Sequence, residues 1–138
     1  MDAKEYLLSL KHIEVRIRNM SEELQRYNDI ATNISARMDG ERVQTSLSGD
    51  KLSMAVAKIV DLEKEIYDEI EHLKIVRRDI LEKIYGMEKL RDQEVLRMRY
   101  VNHLTFEQIA TEYGKTRRQI TNWHGYALEN FRKKYDFS

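Results

Sequence analysis

The chain has 138 residues, with 24 Lys+Arg against 24 Asp+Glu and neither cysteine nor proline, which fits one ordinary domain or a small domain with an elongated extension. An apolar content of 41% is too high for a disordered chain, and zero cysteine excludes disulfides, thiolate metal sites and cysteine nucleophiles. No apolar run reaches the roughly 18 residues of a membrane span, and MDAKEYLLSL lacks a basic segment before an apolar block, so the expectation is a soluble cytoplasmic protein without a signal peptide.

Zero proline favours long uninterrupted helices. The neutral total also hides a polarity. Residues 1–87 carry 14 basic and 17 acidic side chains, and residues 88–138 carry 10 and 7. An acidic body with a basic end predicts one part for assembly and one for a polyanion.

The first element is a helix over about 3–38. Tyr6, Leu10, Ile13, Ile17, Met20, Leu24, Tyr27, Ala31, Ile34 and Met38 alternate at spacings of four and three, the heptad seam of a helix packed lengthwise on another. Residues 39–51, DGERVQTSLSGDK, contain two glycines and several hydroxyl residues without a period, which predicts a loop. A second helix follows over about 52–85. Its main stripe reads Leu52, Val56, Ile59, Ile66, Ile70, Leu73, Ile80, Ile84 and Met87, with Val60, Tyr67 and Leu81 beside it. Matched lengths and one connection predict an antiparallel two-helix coiled-coil hairpin. The second stripe, with Leu8 and Val15 behind the first helix, requires a further partner: the C-terminal region or a second chain, with self-association the favoured reading.

Gly86 ends the periodic pattern, so the predicted division is a hairpin over 1–87 and a small helical domain over 88–138. A short helix fits Asp92 to Val101, with Val95, Leu96 and Tyr100 inward. Thr105 with Gln108, and Thr116 with Gln119, each form a capping box that starts a helix. Gly114 stands between them where the chain must reverse, a place that suits a left-handed residue. Ile109 and Ala110 face inward from the first of these helices, and Ile120, Trp123, Ala127 and Phe131 from the second. Two short helices joined by a tight glycine turn make a helix-turn-helix, so the expected fold class is all-α: a long hairpin followed by a small helix-turn-helix domain.

In such a motif the N-terminal part of the second helix enters the DNA major groove. Arg117, Arg118, Thr121 and Asn122 lie opposite the buried side of that helix. Arginine pairs with guanine and asparagine with adenine in the groove, while Lys115 and Thr116 at the helix start suit a phosphate, and Gln119 is a further candidate DNA-binding residue. Arg132, Lys133 and Lys134 are candidate phosphate contacts or a solvated end of the last turn. About five phosphate contacts would give a log–log salt slope near −4 to −5.

Val95 to Tyr100, then Leu104 to Ala110, then Gly114 to Leu128, resemble region 4 of bacterial sigma factors and related phage regulators. The arrangement of heptad hairpin and helix-turn-helix is also similar to small phage and prophage proteins of the ArpU and RinA late-activator types. That resemblance implies promoter DNA as target, bacterial RNA polymerase as a second partner and a bacterial host cytoplasm. Gly125 and Tyr126 stand where region 4 usually carries basic residues, which implies weak binding by a lone monomer. The expected function is a sequence-specific, phage-encoded transcriptional regulator acting on double-stranded DNA as a homodimer or larger oligomer. The competing readings are a small terminase subunit that forms a ring, and a module that binds polymerase rather than DNA.

Chemistry of other kinds finds no support. His12, His72, His103 and His124 are scattered without a metal-ligand spacing, the five glycines stand singly, and Ser35, Ser46 and Ser48 lack a nucleophile elbow. The run from Asp61 to Glu71 spreads around its helix as a solvated face. Tyr6, Tyr27, Tyr67, Tyr85 and Tyr100 fall at core spacing. No enzyme activity, cofactor or metal is expected.

Overall fold

The computed structural model describes residues 1–40 and 45–138, and the side chains of all of these except 38–40, 45–46 and 48. All regular structure among them is helical: α1 (Ala3–Gly40), α2 (Thr45–Tyr85), α3 (Leu90–Leu96) widening into a single π turn over Arg97–Val101, α4 (Phe106–Tyr113) and α5 (Arg117–Lys134). None of these helices is long and apolar enough to cross a membrane.

The predicted loop 39–51 is a correction. Residues 45–51 are already helical, and α1 runs through Gly40; residues 41–44, with the side chains of Met38, Ser46 and Ser48, lie outside the described residues. Gly49 does not break α2 because it takes helical dihedrals and a Cβ there would meet nothing within 4 Å. A helical glycine costs stability, about 1 kcal/mol against alanine, but does not forbid a helix.

The chain divides into two compact units: Val15–His72, and Met1–Glu14 together with Leu73–Ser138. The first is an antiparallel helix pair. Arg16 of α1 meets Glu69 of α2 at 3.4 Å, and Tyr27, Ile30 and Ile34 line a groove with Lys51, Met54, Ala55 and Lys58, so ascending numbers on one helix face descending numbers on the other. The expected α1 seam is buried or half-buried from Ile17 to Ile34. On α2 the register differs from expectation. Ala55 and Leu62 are buried, whereas Val56 is 46% exposed, Val60 58% and Tyr67 65%. The inward seam therefore runs through Leu52, Ala55, Ile59, Leu62 and Ile66, and Val60 and Tyr67 of the second stripe face solvent.

The other unit takes in more of the chain than residues 88–138. Leu7 and Leu10 of α1, Ile80 and Ile84 of α2, Leu96, Ala127 and Phe131 are fully buried in one cluster with Met87, Tyr100 and Val101. Each such large aliphatic or aromatic side chain contributes roughly 1.5–3 kcal/mol by leaving water. Leu8 and Leu81 pack on the same cluster, which accounts for that part of the surplus apolar surface without a second chain. Gly86 makes room here: a Cβ would crowd the Tyr135 hydroxyl, which donates to the Lys83 carbonyl at 2.5 Å. The chain then ends on aromatic packing, Phe137 against Phe131 at 5.6 Å and against Tyr6 at 5.1 Å.

A smaller cluster, Ile109, Ala110 and Ile120 with Met98, Leu104, Phe106, Tyr113 and Trp123, fastens α4 to α5. Buried Asp92 in the first turn of α3 accepts from Asn130 of α5 at 2.7 Å, a polar clamp whose partners satisfy each other. These two contacts hold α5 on the domain near its start and near its end.

Candidate nucleic-acid interface

The turn between α4 and α5 forms for local reasons. Thr105 accepts from Gln108 N at 3.1 Å while Gln108 accepts from Thr105 N at 2.8 Å, closing the first capping box. At the far end of α4, Gly114 adopts φ 61° and ψ 37°. Its N–H donates to Thr111 O at 3.3 Å, and Lys115 N–H donates to Ala110 O at 2.9 Å. Those are the paired bonds of a Schellman ending, which needs a left-handed residue at this position. Thr116 and Gln119 then close the second capping box at 3.0 and 3.2 Å. The reversal is complete in three residues and α5 starts with its first turn in solvent.

Arg117 and Arg118 are both exposed, Arg117 at the first position of α5 and Arg118 on the side away from the buried Ile120, Ala127 and Phe131. The predicted interface residues differ in what already occupies them. Arg117 reaches across the turn to Glu107 of α4 at 3.1 Å, with both side chains more than 60% exposed, so the pair is weak and easily exchanged. Gln119 and Thr116 serve the cap. The half-buried Thr121 donates its hydroxyl to Arg118 O at 2.9 Å. Lys115, Arg118 and Asn122 have no side-chain hydrogen bond or ion pair among the described residues.

Two of the three cations of the terminal basic cluster are committed elsewhere, and the third is held loosely. Arg132 grips Glu129 through two bonds of 2.7 and 3.0 Å, and Lys133 lies 3.9 Å from the same carboxylate. Glu129 is accordingly held below the usual carboxylate range, first by the Arg132 hydrogen bonds. Lys134 donates to the Gly86 carbonyl. The sequence offers these three cations to phosphate or solvent; the i,i+3 and i,i+4 spacing from Glu129 is the signal that ties two of them. No such spacing marks Glu107, whose partner lies on another helix.

Behind the interface, other cations hold the fold. Arg91 stacks over Trp123 at 4.7 Å and Arg99 over Phe106 at 4.1 Å. His124 sits between Tyr100 and Phe106, its Nε2 2.7 Å from the Tyr100 hydroxyl. Burial, with Arg99 and Lys4 nearby, lowers its pKa to about 4, so a neutral ring packs under the outward face at pH 7. His103 in the turn before α4 has φ 57° and pairs with Glu14. Tyr67 and Tyr85 correct the core assignment of the tyrosines: they are 65% and 48% exposed, and Tyr85 accepts from Arg97.

Comparison with known families agrees with this geometry. Residues 89–133 match the family described as Sigma-70, region 4, a span that runs from the start of α3 almost to the end of α5 and covers about a third of the chain. No curated protein and no solved structure matches the chain. Segment 89–133 is therefore a sigma-70 region 4-like helix-turn-helix domain, with α5 as its second helix.

Proposed function

We propose that this chain is a sequence-specific DNA-binding transcriptional regulator that reads promoter or operator DNA with α5 and self-associates through its long helices. One observation carries the DNA reading: a helix fixed by a left-handed turn and a capping box presents an exposed, unengaged Arg118 and Asn122 one turn apart. Both sit in a segment that matches sigma-70 region 4. Arginine and asparagine are the side chains that pair bidentately with guanine and adenine edges. Lys115 and the α5 N-terminus supply the adjoining phosphate contact.

Self-association is supported by Val56, Val60 and Tyr67, which lie exposed along one side of α2, and by a physical need. One small module makes few base contacts, and joining two makes the second binding step intramolecular, raising avidity by about 10²–10⁴. A repeated or palindromic site follows. Resemblance to small phage regulators supports a phage or prophage origin, action in the bacterial cytoplasm, RNA polymerase as a second partner and the absence of any catalytic step. Selecting bound fragments from the source genome, alongside a solution mass, tests the whole reading. A dimer on a two-fold repeated site is the expected result. A ring of eight or more subunits would replace it with a packaging role, and a chain that selects no DNA but captures polymerase would replace it with an interaction module.

A further inference from the structure

Gly125 has no structural reason to be glycine. Among the described glycines only Gly114 has a positive φ, and a Cβ at 125 would meet nothing within 4 Å. It nevertheless stands in the middle of the 18-residue α5, where only proline is less favourable. Glycine is also the residue used where a backbone must approach a ligand closely. Residues 118, 122 and 125 follow the spacing that lines one helix face, so Gly125 is a gap in the surface that Arg118 and Asn122 present.

Tyr126 lies beside that gap, four residues beyond Asn122. It is 64% exposed and makes no hydrogen bond or ring contact among the described residues. Eight residues separate it from Arg118, ~12 Å along the helix at 1.5 Å per residue. The B-DNA major groove is about 12 Å wide. With Arg118 at the base edges, Tyr126 is therefore far enough along α5 to reach the groove wall, where the sugar–phosphate strand runs. Glu129, one turn further along, would repel that strand if bare, but Arg132 and Lys133 neutralise it.

We infer that Gly125 and Tyr126 form a second DNA contact, separate from the base readers. The bare backbone at 125 lets a sugar–phosphate strand close against α5, and the Tyr126 phenol donates a hydrogen bond to a phosphate oxygen while its ring packs on the deoxyribose. The inference rests on the DNA-binding reading above. Contacts of this class fix register and carry no sequence information, so their loss weakens binding to every sequence alike.

The test measures Kd for the selected genomic duplex and for an unrelated duplex, with thermal melts of each variant. Gly125→Ala should raise Tm by about 3 °C, yet weaken both duplexes by about fivefold or more. Tyr126→Phe should weaken both by roughly three- to tenfold, the worth of one hydrogen bond. Arg118→Ala should penalise the selected duplex far more than the unrelated one. Gly125→Ala that binds both duplexes within about twofold of wild type, or that melts lower, overturns the inference. If Arg118→Ala alone impairs binding, only the groove-wall contact falls. If the wild type binds neither duplex, the DNA-binding reading falls and takes this inference with it.

Discussion

Three glycines permit a test in which packing is held constant and only the backbone varies. A Cβ added to Gly49, Gly114 or Gly125 meets nothing within 4 Å, so no collision enters the comparison. Gly49 and Gly125 lie within α2 and α5, whereas Gly114 sits at φ 61° and ψ 37°. Alanine at 49 or 125 gains its helix propensity, up to about 1 kcal/mol. Alanine at 114 meets the left-handed penalty, roughly 1–2 kcal/mol. The 114 and 125 variants should thus differ by about 2–3 kcal/mol despite an identical change in composition. For 138 residues, an unfolding entropy near 2.1 cal/mol/K per residue converts 1 kcal/mol into about 3.5 °C. Gly125→Ala should melt about 3 °C above wild type, and Gly114→Ala about 3–7 °C below it. Urea titrations followed by circular dichroism should show the midpoints moving apart with unchanged slopes. If the two variants shift stability in the same direction, residue 114 is not the left-handed hinge between α4 and α5, and the helix-turn-helix geometry is wrong.

Three other outcomes follow from particular contacts. His124 has its pKa lowered to about 4 chiefly by burial, below the ordinary value near 6.5. The unfolded chain therefore binds the proton first, and stability should fall as pH drops from about 6.5 towards 4, by about 1–2 kcal/mol once partial exposure of the ring is discounted. An NMR titration of the His124 ring near pH 6.5 would refute it. Glu129→Gln should release Arg132 and Lys133 and steepen the salt dependence of DNA binding by about one to two contacts; an unchanged slope would show that these cations face away from DNA. Replacing Val60 and Tyr67 together by serine should lower the solution mass towards a monomer with little loss of fold, since both are exposed; a variant that keeps the wild-type mass places self-association elsewhere.

What was legible in the sequence was what depends on near neighbours. The α1 seam has a single strict period, and the described residues along it are buried or half-buried. Both capping boxes and the Gly114 turn involve residues three to five apart, and each formed as expected. The register of α2 was harder because two apolar stripes run side by side, and Ala55, the residue that fits the inward seam, carries little hydrophobic signal. The hydroxyl- and glycine-rich stretch after residue 44 resembled a loop because composition does not reveal that Gly49 has room and helical dihedrals. The compact unit also reaches back to residues 1–14 and 73–87, since contacts such as Tyr6 with Asp79 join positions 73 residues apart. The same distinction holds at the interface. Exposure of Arg118 follows from its place opposite Ile120 and that of Arg117 from its place at the first position of α5, but the Glu107 partner of Arg117 and the Gly86 partner of Lys134 come from other elements.

Those partners also revise the number of cations available to DNA. With Arg132 and Lys134 engaged and Arg118 at the base edges, Lys115, Arg117 and the loosely held Lys133 remain, and three phosphate-region cations correspond to a log–log salt slope near −3 per module. The decisive measurement is the affinity of the wild type and Arg118→Ala for a selected duplex across a salt series. A slope near −3 for each bound module, with Arg118→Ala weakening the selected site by roughly 1–3 kcal/mol, is the predicted result. A salt-independent affinity, or an Arg118→Ala protein that discriminates between sequences as well as wild type, would contradict the assignment of α5 as the reader of DNA.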